Sequence, residues 1–250
     1  MANKGLDALT RMFPRGKTMF CFTELTNLNR CWKDLAQENL STCKKGYRFP
    51  PEHNLMYFIL RGRVRLVALT PDGEEKNLWY LREGCFFNET PAFFQGAPDA
   101  SSPWSQKAYS VFMTTSSFFH ECTETSLLGA LSFARVKEIG LRHPEMLLNL
   151  CHSFSLKVTL LAQNMASFTL ETPRQRVYKY LAARIEPGSN PPRIQRTMPY
   201  VEMANLLGMH RISLYKILTA AQKSGILAFD KKKTSITVLQ PDVFFRNAGL

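Results

Sequence analysis

The stretch from Tyr200 to Leu218 constrains this chain more than any other. It reads as two short helices joined by a tight turn. Ala204 is small where two helices would cross closely, Leu207 is apolar beside the turn, and Gly208 can take a positive φ at no steric cost. In the second helix Ile212, Tyr215 and Lys216 fall on one side, and Leu214, Ile217, Leu218 and Ala221 on another. One face therefore packs and the other is presented. Lys223 suits the last turn and Gly225 ends the helix. Two apolar, strand-like runs follow, starting at Ile226 and Ile236, around the turn Asp230-Lys-Lys-Lys-Thr-Ser. They predict a hairpin, or wing, with a basic tip. Helix, turn, helix and wing together predict a DNA-binding module. Arg211, Ile212, Ser213, Tyr215 and Lys216 would meet bases and backbone, while Lys231, Lys232 and Lys233 hold phosphates. The plain alternative is a helical hairpin packed on a core.

The formal net charge of +12 over 250 residues suits a polyanionic partner. Anionic lipid would also suit it, but no apolar run is long enough to span a bilayer. Met1-Ala-Asn-Lys-Gly also lacks the apolar core of a signal peptide, so the chain is expected in the cytoplasm, without a membrane partner. There the six cysteines, Cys21, Cys31, Cys43, Cys85, Cys122 and Cys151, should be reduced. No two form a C-x-x-C pair, so scattered thiols are expected and no metal site is predicted; an iron–sulfur cluster would need four of them to converge. His53, His120, His143, His152 and His210 are scattered too, and no Ser/His/Asp or Cys/His set is local. The chain is therefore not expected to be an enzyme. A cupin-like roll enzyme, the distant alternative, would need clustered His and carboxylate ligands on neighbouring strands, which the roll segment lacks.

Upstream, Leu28, Trp32, Leu35 and Leu40 predict a helix from Leu25 to Leu40, capped by Thr26. Leu55 to Leu69 reads as two strands turning at Arg61-Gly62, with Arg63, Arg65 and Val67 on one face and Val64, Leu66 and Ala68 on the other. Pro71-Asp-Gly is a hairpin turn into Lys76–Leu81, and Glu83-Gly84 turns again. Short strands at this spacing predict an antiparallel roll, resumed between Ala108 and Cys122. Helical character is expected from Leu127 to Leu141. A long helix then runs from about Glu145 to Phe168 with a heptad seam of Leu147, Leu150, Phe154, Lys157, Leu161, Asn164 and Phe168. Beside it lies a second stripe of Leu148, Cys151, Ser155, Val158, Ala162 and Met165. Two stripes predict a helix that packs on its own domain and on a second copy of the chain, with Leu147, Leu150, Phe154, Leu161 and Phe168 as the dimer seam. Thr172-Pro-Arg-Gln carries a capping box and a proline in the first turn of the next helix.

An N-terminal roll, a long helix and a C-terminal winged helix-turn-helix, in this order, resemble the Crp/Fnr family of bacterial transcription regulators. The pieces that carry the resemblance are Tyr57-Phe-Ile-Leu-Arg-Gly-Arg-Val-Arg-Leu, Pro71-Asp-Gly, Thr172-Pro-Arg-Gln-Arg, Ala204-Asn-Leu-Leu-Gly through Lys216-Ile-Leu, and Gly225-Ile-Leu. The implied fold is α+β: a cyclic-nucleotide-binding-like β-roll over 1–143, a dimerisation helix over 144–170 and a winged helix-turn-helix over 171–250. The implied function is a ligand-responsive regulator, an activator, that binds an AT-rich inverted repeat of double-stranded DNA as a homodimer, with RNA polymerase as a further partner.

Departures from the family pattern narrow the effector. Cyclic-nucleotide binders carry an Arg-Ser clamp for the phosphate, and no arginine lies between Arg82 and Arg135 here. Cys21 and Cys31 are too far apart for the oxygen sensors' cysteine cluster. The carbon monoxide sensors place Cys and His where Phe87 and Glu89 stand. A redox, haem or iron–sulfur sensor is the alternative reading within the family. Lys157-Val-Thr-Leu-Leu, and Ile212 in place of the usual glutamate, are similar to the halorespiration branch, which senses chlorinated phenolic acids. That resemblance implies a small anionic aromatic effector, such as a halogenated phenolic acid, between roll and helix. Lys157 would face its charge, with Trp79, Tyr80, Phe87, Glu89 and Phe154 around it. The other reading of Lys157 is that it snorkels outward or pairs with a carboxylate such as Glu89.

Overall fold

The computed structural model describes residues 24–49, 55–69, 73, 75–90, 93, 102–103, 106–107, 117–230 and 232–250. The chain divides into two compact units, 23–159 and 160–250, and the boundary falls inside the long helix.

The first unit is built from two sheets. One has the strand order β1-β6-β5-β8-β3, with β1 Glu24–Leu25, β3 Arg48–Phe49, β5 Arg63–Leu69, β6 Glu75–Arg82 and β8 Ser117–Cys122. The other has the order β2-β9-β4-β7, with β2 Ser41–Cys43, β4 Leu55–Arg61, β7 Phe86–Phe87 and β9 Ser126–Ser132. Every pairing is antiparallel except β1 with β6. Gly62 is the corner between the sheets: its φ is +107°, and a Cβ there would sit 2.3 Å from the Ser126 hydroxyl. So β4 and β5, consecutive in sequence, do not pair with each other. β5 and β6 do form the predicted hairpin, with Gly73 at φ +83°; Pro71 and Asp72 lie outside the described residues. Beneath β4 and β9, Trp32, Met56, Phe58, Phe86, Leu131, Val136, Ile139 and Leu150 make one core.

Two sequence expectations change here. The segment 25–40 is not a helix. It holds a short 3-10 turn, Arg30–Trp32, and one α-type bond from Ala36 N–H to the Trp32 carbonyl. Asn27 and Asn39 are left-handed. The buried Asn29 joins other elements instead: its Oδ1 accepts from Phe86 N–H (3.2 Å) and Ser153 Oγ (3.3 Å), and its Nδ2 donates to Asn149 (3.0 Å). Tertiary hydrogen bonds win over a helical spacing that Trp32 and Ala36 satisfy for a single turn. Second, Ser126–Ser132 is strand β9, because both neighbours supply a ladder; helix α1 starts only at Phe133 and ends at Arg142, capped by the Ser132 hydroxyl. The alternation along β5 holds: the strand runs in step with β8, the extra residue of the bulge opposite Leu66 and Val67 is Leu78 on β6, and Val64 and Val67, on opposite faces as expected, are both buried.

Helix α2, Pro144–Leu170, matches the expected long helix. In the second unit, α3 (Pro173–Ala182) begins with the predicted capping box: Thr172 Oγ1 accepts from Gln175 N–H (3.2 Å), and Gln175 Oε1 accepts from Thr172 N–H (2.9 Å). Helices α4 (Tyr200–Leu206) and α5 (Arg211–Lys223) form the helix-turn-helix. β11 (Leu227–Phe229) and β12 (Ser235–Val238) form the wing, and β10 (Arg193–Gln195), which the sequence reading missed, pairs with β12. Helix α6, Pro241–Ala248, packs on α3 through Phe244 against Tyr178. Among the described residues no helix is long and apolar enough to cross a membrane.

Candidate functional site

The second unit puts its chemistry outside. Leu214, Leu218 and Ala221 of α5 are buried with Ala204, Leu206 and Leu207. At Gly208, φ is +61° and an added Cβ would meet the Phe168 ring at 2.6 Å, so the turn needs glycine for both its conformation and its clearance. Arg176, buried, holds the same turn: Nε donates to the Leu207 carbonyl (3.0 Å) and Nη1 to that of Glu171 (2.8 Å). His210 caps α5, its Nδ1 accepting from Ile212 N–H at 3.3 Å. With the apolar side spent, Arg211, Ile212, Tyr215, Lys216, Thr219 and Lys223 line one continuous outer face. Ile212 remains 55% exposed, unusual for a large aliphatic side chain with a core close by. Ser213 is exposed but stands beside that face, not on it.

The wing tip is closed by Asp230. Its carboxylate accepts from Thr234 N–H (2.7 Å), Thr234 Oγ1 (2.8 Å) and Ser235 N–H (3.1 Å). These bonds hold it below the usual carboxylate range, the Thr234 hydroxyl contributing most. Lys232 and Lys233 are exposed at the tip, while Lys231 lies outside the described residues.

The first unit puts its chemistry inside. Lys157 and Glu89 are both buried and form an ion pair, and Lys157 Nζ also donates to the Phe86 carbonyl at 2.9 Å. Lys157 therefore already has a carboxylate partner, as the second sequence reading of it had it. Phe87 stacks on Tyr57 (centroids 5.1 Å apart) and meets Phe49 (4.9 Å) and His120 (4.9 Å). Burial first, and then the Lys157 ammonium, push the His120 imidazole down to about 3, so it is neutral at ordinary pH. Leu66 pairs in register with both Trp79 and His120, which places these two on one sheet face. Trp79 is 7% exposed, and its Nε1–H finds no acceptor among the described residues.

Two of the expected effector residues stand elsewhere. Tyr80 points to the opposite sheet face from Trp79, as strand alternation requires. Its ring lies 4.1 Å under the Arg63 guanidinium, and its hydroxyl accepts from Asn77 (3.0 Å), which binds Arg65 (2.8 Å). Phe154 packs edge-on against Phe93 (5.5 Å) beside the core. Trp79, Phe87, Glu89 and Lys157 remain, joined by His120, Tyr57 and Phe49, which the sequence reading missed. Their one sequence signal is alternation: His120 and Cys122 share a face of β8, and Phe49 pairs with His120. Among the described residues no three His, Cys, Asp or Glu stand together as metal ligands.

The two stripes of α2 differ in burial. Leu150 is 2% exposed in the core, and Leu147 and Phe154 pack against that core. Phe168 lies against Gly208 and Arg176, and Leu161 is half-buried. The expected seam of Leu147, Leu150, Phe154 and Phe168 is thus spent within the chain. The stripe beside it is open: Leu148 is 69% exposed, Val158 64% and Met165 68%, with Cys151, Ser155 and Ala162 exposed between them.

Residues 51–126 match the cyclic nucleotide-binding domain family. No curated protein matches the chain as a sequence relative. Solved structures match most of it. A CooA mutant from Carboxydothermus hydrogenoformans is 16% identical with a TM-score of 0.66, covering 90% of this chain and all of that one. CprK complexed with OCPA is 18% identical at 0.64, over 85% and 92%. A transcriptional regulator of the CRP/FNR family from Thermus thermophilus is 18% identical at 0.54, over 85% and 99%. The chain has the fold of these regulators.

Proposed function

We propose that the chain is a transcription regulator of the Crp/Fnr family, which binds double-stranded DNA as a homodimer and answers to a small effector held in its roll. One observation carries the reading: α5 turns an exposed face of Arg211, Ile212, Tyr215 and Lys216 outward on a buried support, beside a wing tipped with Lys232 and Lys233. That is a major-groove helix with phosphate contacts at its flank. A chain of charge +12 brings the long-range attraction such binding needs. Ile212 suits a thymine methyl, so the site is an AT-rich inverted repeat with half-sites about one helical turn apart. Two-fold sites call for a two-fold protein, and the open stripe of α2, Leu148, Ser155, Val158, Ala162 and Met165, is the surface for a second copy.

The effector is a small aromatic anion of the phenolic-acid class, between Trp79, Phe87 and His120. Three features support this: an indole N–H without an acceptor among the described residues, an aromatic wall, and an ammonium within the same interior. Lys157 is bound to Glu89, so an anion must compete with that carboxylate for the ammonium. Exchange of one partner for the other would shift the population between two arrangements of α2. RNA polymerase is the further partner of an activator of this kind.

Selection of binding sites from random duplex DNA tests the reading. An enriched inverted repeat, bound at two protein chains per duplex, is the expected result. No enrichment, at low salt and with or without phenolic acids, would reject it.

A further inference from the structure

Arg196 connects the wing to the recognition helix. It follows β10 directly, and its N–H donates to the Thr234 carbonyl at 2.9 Å. Its Nε donates to the carbonyl of Lys233, at the wing tip, at 3.1 Å, and its Nη1 to that of Met198 at 2.7 Å. Both bonds use the fixed fork of the guanidinium, which a lysine cannot copy. The same guanidinium lies over the Tyr200 ring, 4.7 Å from its centroid. Tyr200 opens α4, and its ring is 5.1 Å from that of Tyr215, inclined by 49°. Tyr215 belongs to the outer face of α5 and is 42% exposed. An unbroken line of contacts therefore runs from the wing tip through Arg196 and Tyr200 to a side chain on the recognition face.

A tyrosine on an open helix face ordinarily samples several rotamers, and binding must remove that freedom. A ring against one side of it, itself held by a cation, removes the freedom beforehand. A wing on a two-stranded hairpin has the same problem on a larger scale. We propose that Arg196 and Tyr200 are positioning residues for DNA recognition: they hold Tyr215 in one orientation and tie the wing tip to the recognition helix, so that helix and wing meet the duplex as one preformed surface. Two of the five guanidinium N–H donors serve carbonyls here, which fixes the direction of the side chain. The inference rests on the DNA-binding reading above.

The test uses the full chain and compares Arg196→Met, Arg196→Lys, Tyr200→Leu and Tyr215→Leu with wild type. Each is titrated on the selected duplex and on an unrelated duplex of equal length, over a series of salt concentrations. Arg196→Met and Tyr200→Leu should each weaken the selected site roughly three- to tenfold. Binding to the unrelated duplex and the salt slope should stay as in wild type. Arg196→Lys should not restore affinity. In a Tyr215→Leu background the effect of Tyr200→Leu should vanish, because the pair acts as one unit. Tyr200→Leu leaves the wing bonds of Arg196 intact, so it decides the matter if Arg196→Met unfolds. Two results overturn the proposal: a salt slope shallower by about one with full rescue by Arg196→Lys, which marks a direct phosphate contact, or additive losses for Tyr200 and Tyr215. A wild-type chain that binds neither duplex rejects the DNA-binding reading itself, and is seen before any variant is made.

Discussion

The two units treat charge in opposite ways. Around α5, apolar side chains are consumed by the core and the cations stay in water, where Arg211, Lys216, Lys223, Lys232 and Lys233 keep their full attraction for a polyanion. In the roll, ionic groups are paired within the protein: Lys157 with Glu89, and Arg65 with Glu121 (2.9 Å) and Glu75 (2.8 Å). A buried charge is tolerable only when paired, so these inner cations are already committed within the chain. The difference teaches where each unit can be addressed. On the proposed reading a polyanion meets the outside of the C-terminal unit, whereas a small anion that reaches Lys157 must exchange with Glu89.

The largest effect should come from the open stripe of α2. Leu148→Glu with Val158→Glu would set like charges against each other across the proposed seam. Sedimentation should show monomers, and affinity for an inverted repeat should fall about 10²–10⁴-fold, because the second half-site is no longer reached intramolecularly. Leu150→Glu should behave differently: it places a carboxylate in the roll core, and cooperative unfolding should be lost altogether. A folded monomer from Leu150→Glu, with the stripe variant still dimeric, would reverse the assignment of the two stripes. Next comes the buried pair. Both side chains are under a tenth exposed, so solvent screens them little. Lys157→Met strands the Glu89 carboxylate and should cost about 3–5 kcal/mol in urea denaturation. Adding Glu89→Gln should recover most of that loss; no recovery would mean that Lys157 acts by packing alone.

How legible each unit was follows from the same contrast. The recognition helix, its turn at Gly208, the capping box at Thr172 and the wing are local patterns, set by residues within a few positions of each other, and the sequence carried them. The α2 helix was legible in extent, but periodicity alone could not say which of its stripes faces the roll. The segment 25–40 and strand β9 were misread because their partners, Asn149, Ser153, β2 and β4, are far away in sequence. The partner of Lys157 was one of two readings, and only the fold chose Glu89. β10 was missed because three residues between prolines and polar side chains carry little period. Trp79 and Tyr80 are neighbours on a strand and face opposite ways, and only the fold shows that Trp79 is the one on the face of His120.

A smaller effect concerns what the outer face reads. Ile212 is exposed on the recognition helix with no hydrogen-bonding group. Ile212→Glu supplies an acceptor for cytosine N4 and should move preference towards a G·C pair at one position of each half-site, by about 1–3 kcal/mol per contact. Site selection on both variants measures it. An obligatory G·C pair at that position in the wild-type consensus would show that Ile212 reads nothing there.

The smallest effect sharpens the contrast from inside the roll. His120, half-buried, titrates at about 3 in the folded chain, chiefly because its ring is desolvated and secondarily because Lys157 repels a second cation, against 6.5 when unperturbed. Between those values the unfolded chain carries the extra proton, so unfolding gains stability from each lowering of pH. The contribution is therefore complete above about pH 6.5 and is lost progressively as pH falls towards 3. One proton sets the limit, about 1.4 kcal/mol per pH unit, so a fall from pH 7 to pH 5.5 should remove roughly 1 kcal/mol. Carboxylates titrate over part of the same range, and His120→Gln isolates the histidine: its stability, measured in urea at each pH, should decline less steeply than that of the wild type. The gap should also narrow in a Lys157→Met background, where the repelling ammonium is gone and the imidazole can rise. Parallel curves for wild type and His120→Gln between pH 7 and 5.5 would mean that the histidine is solvated and takes up its proton in the folded chain as easily as in the unfolded one.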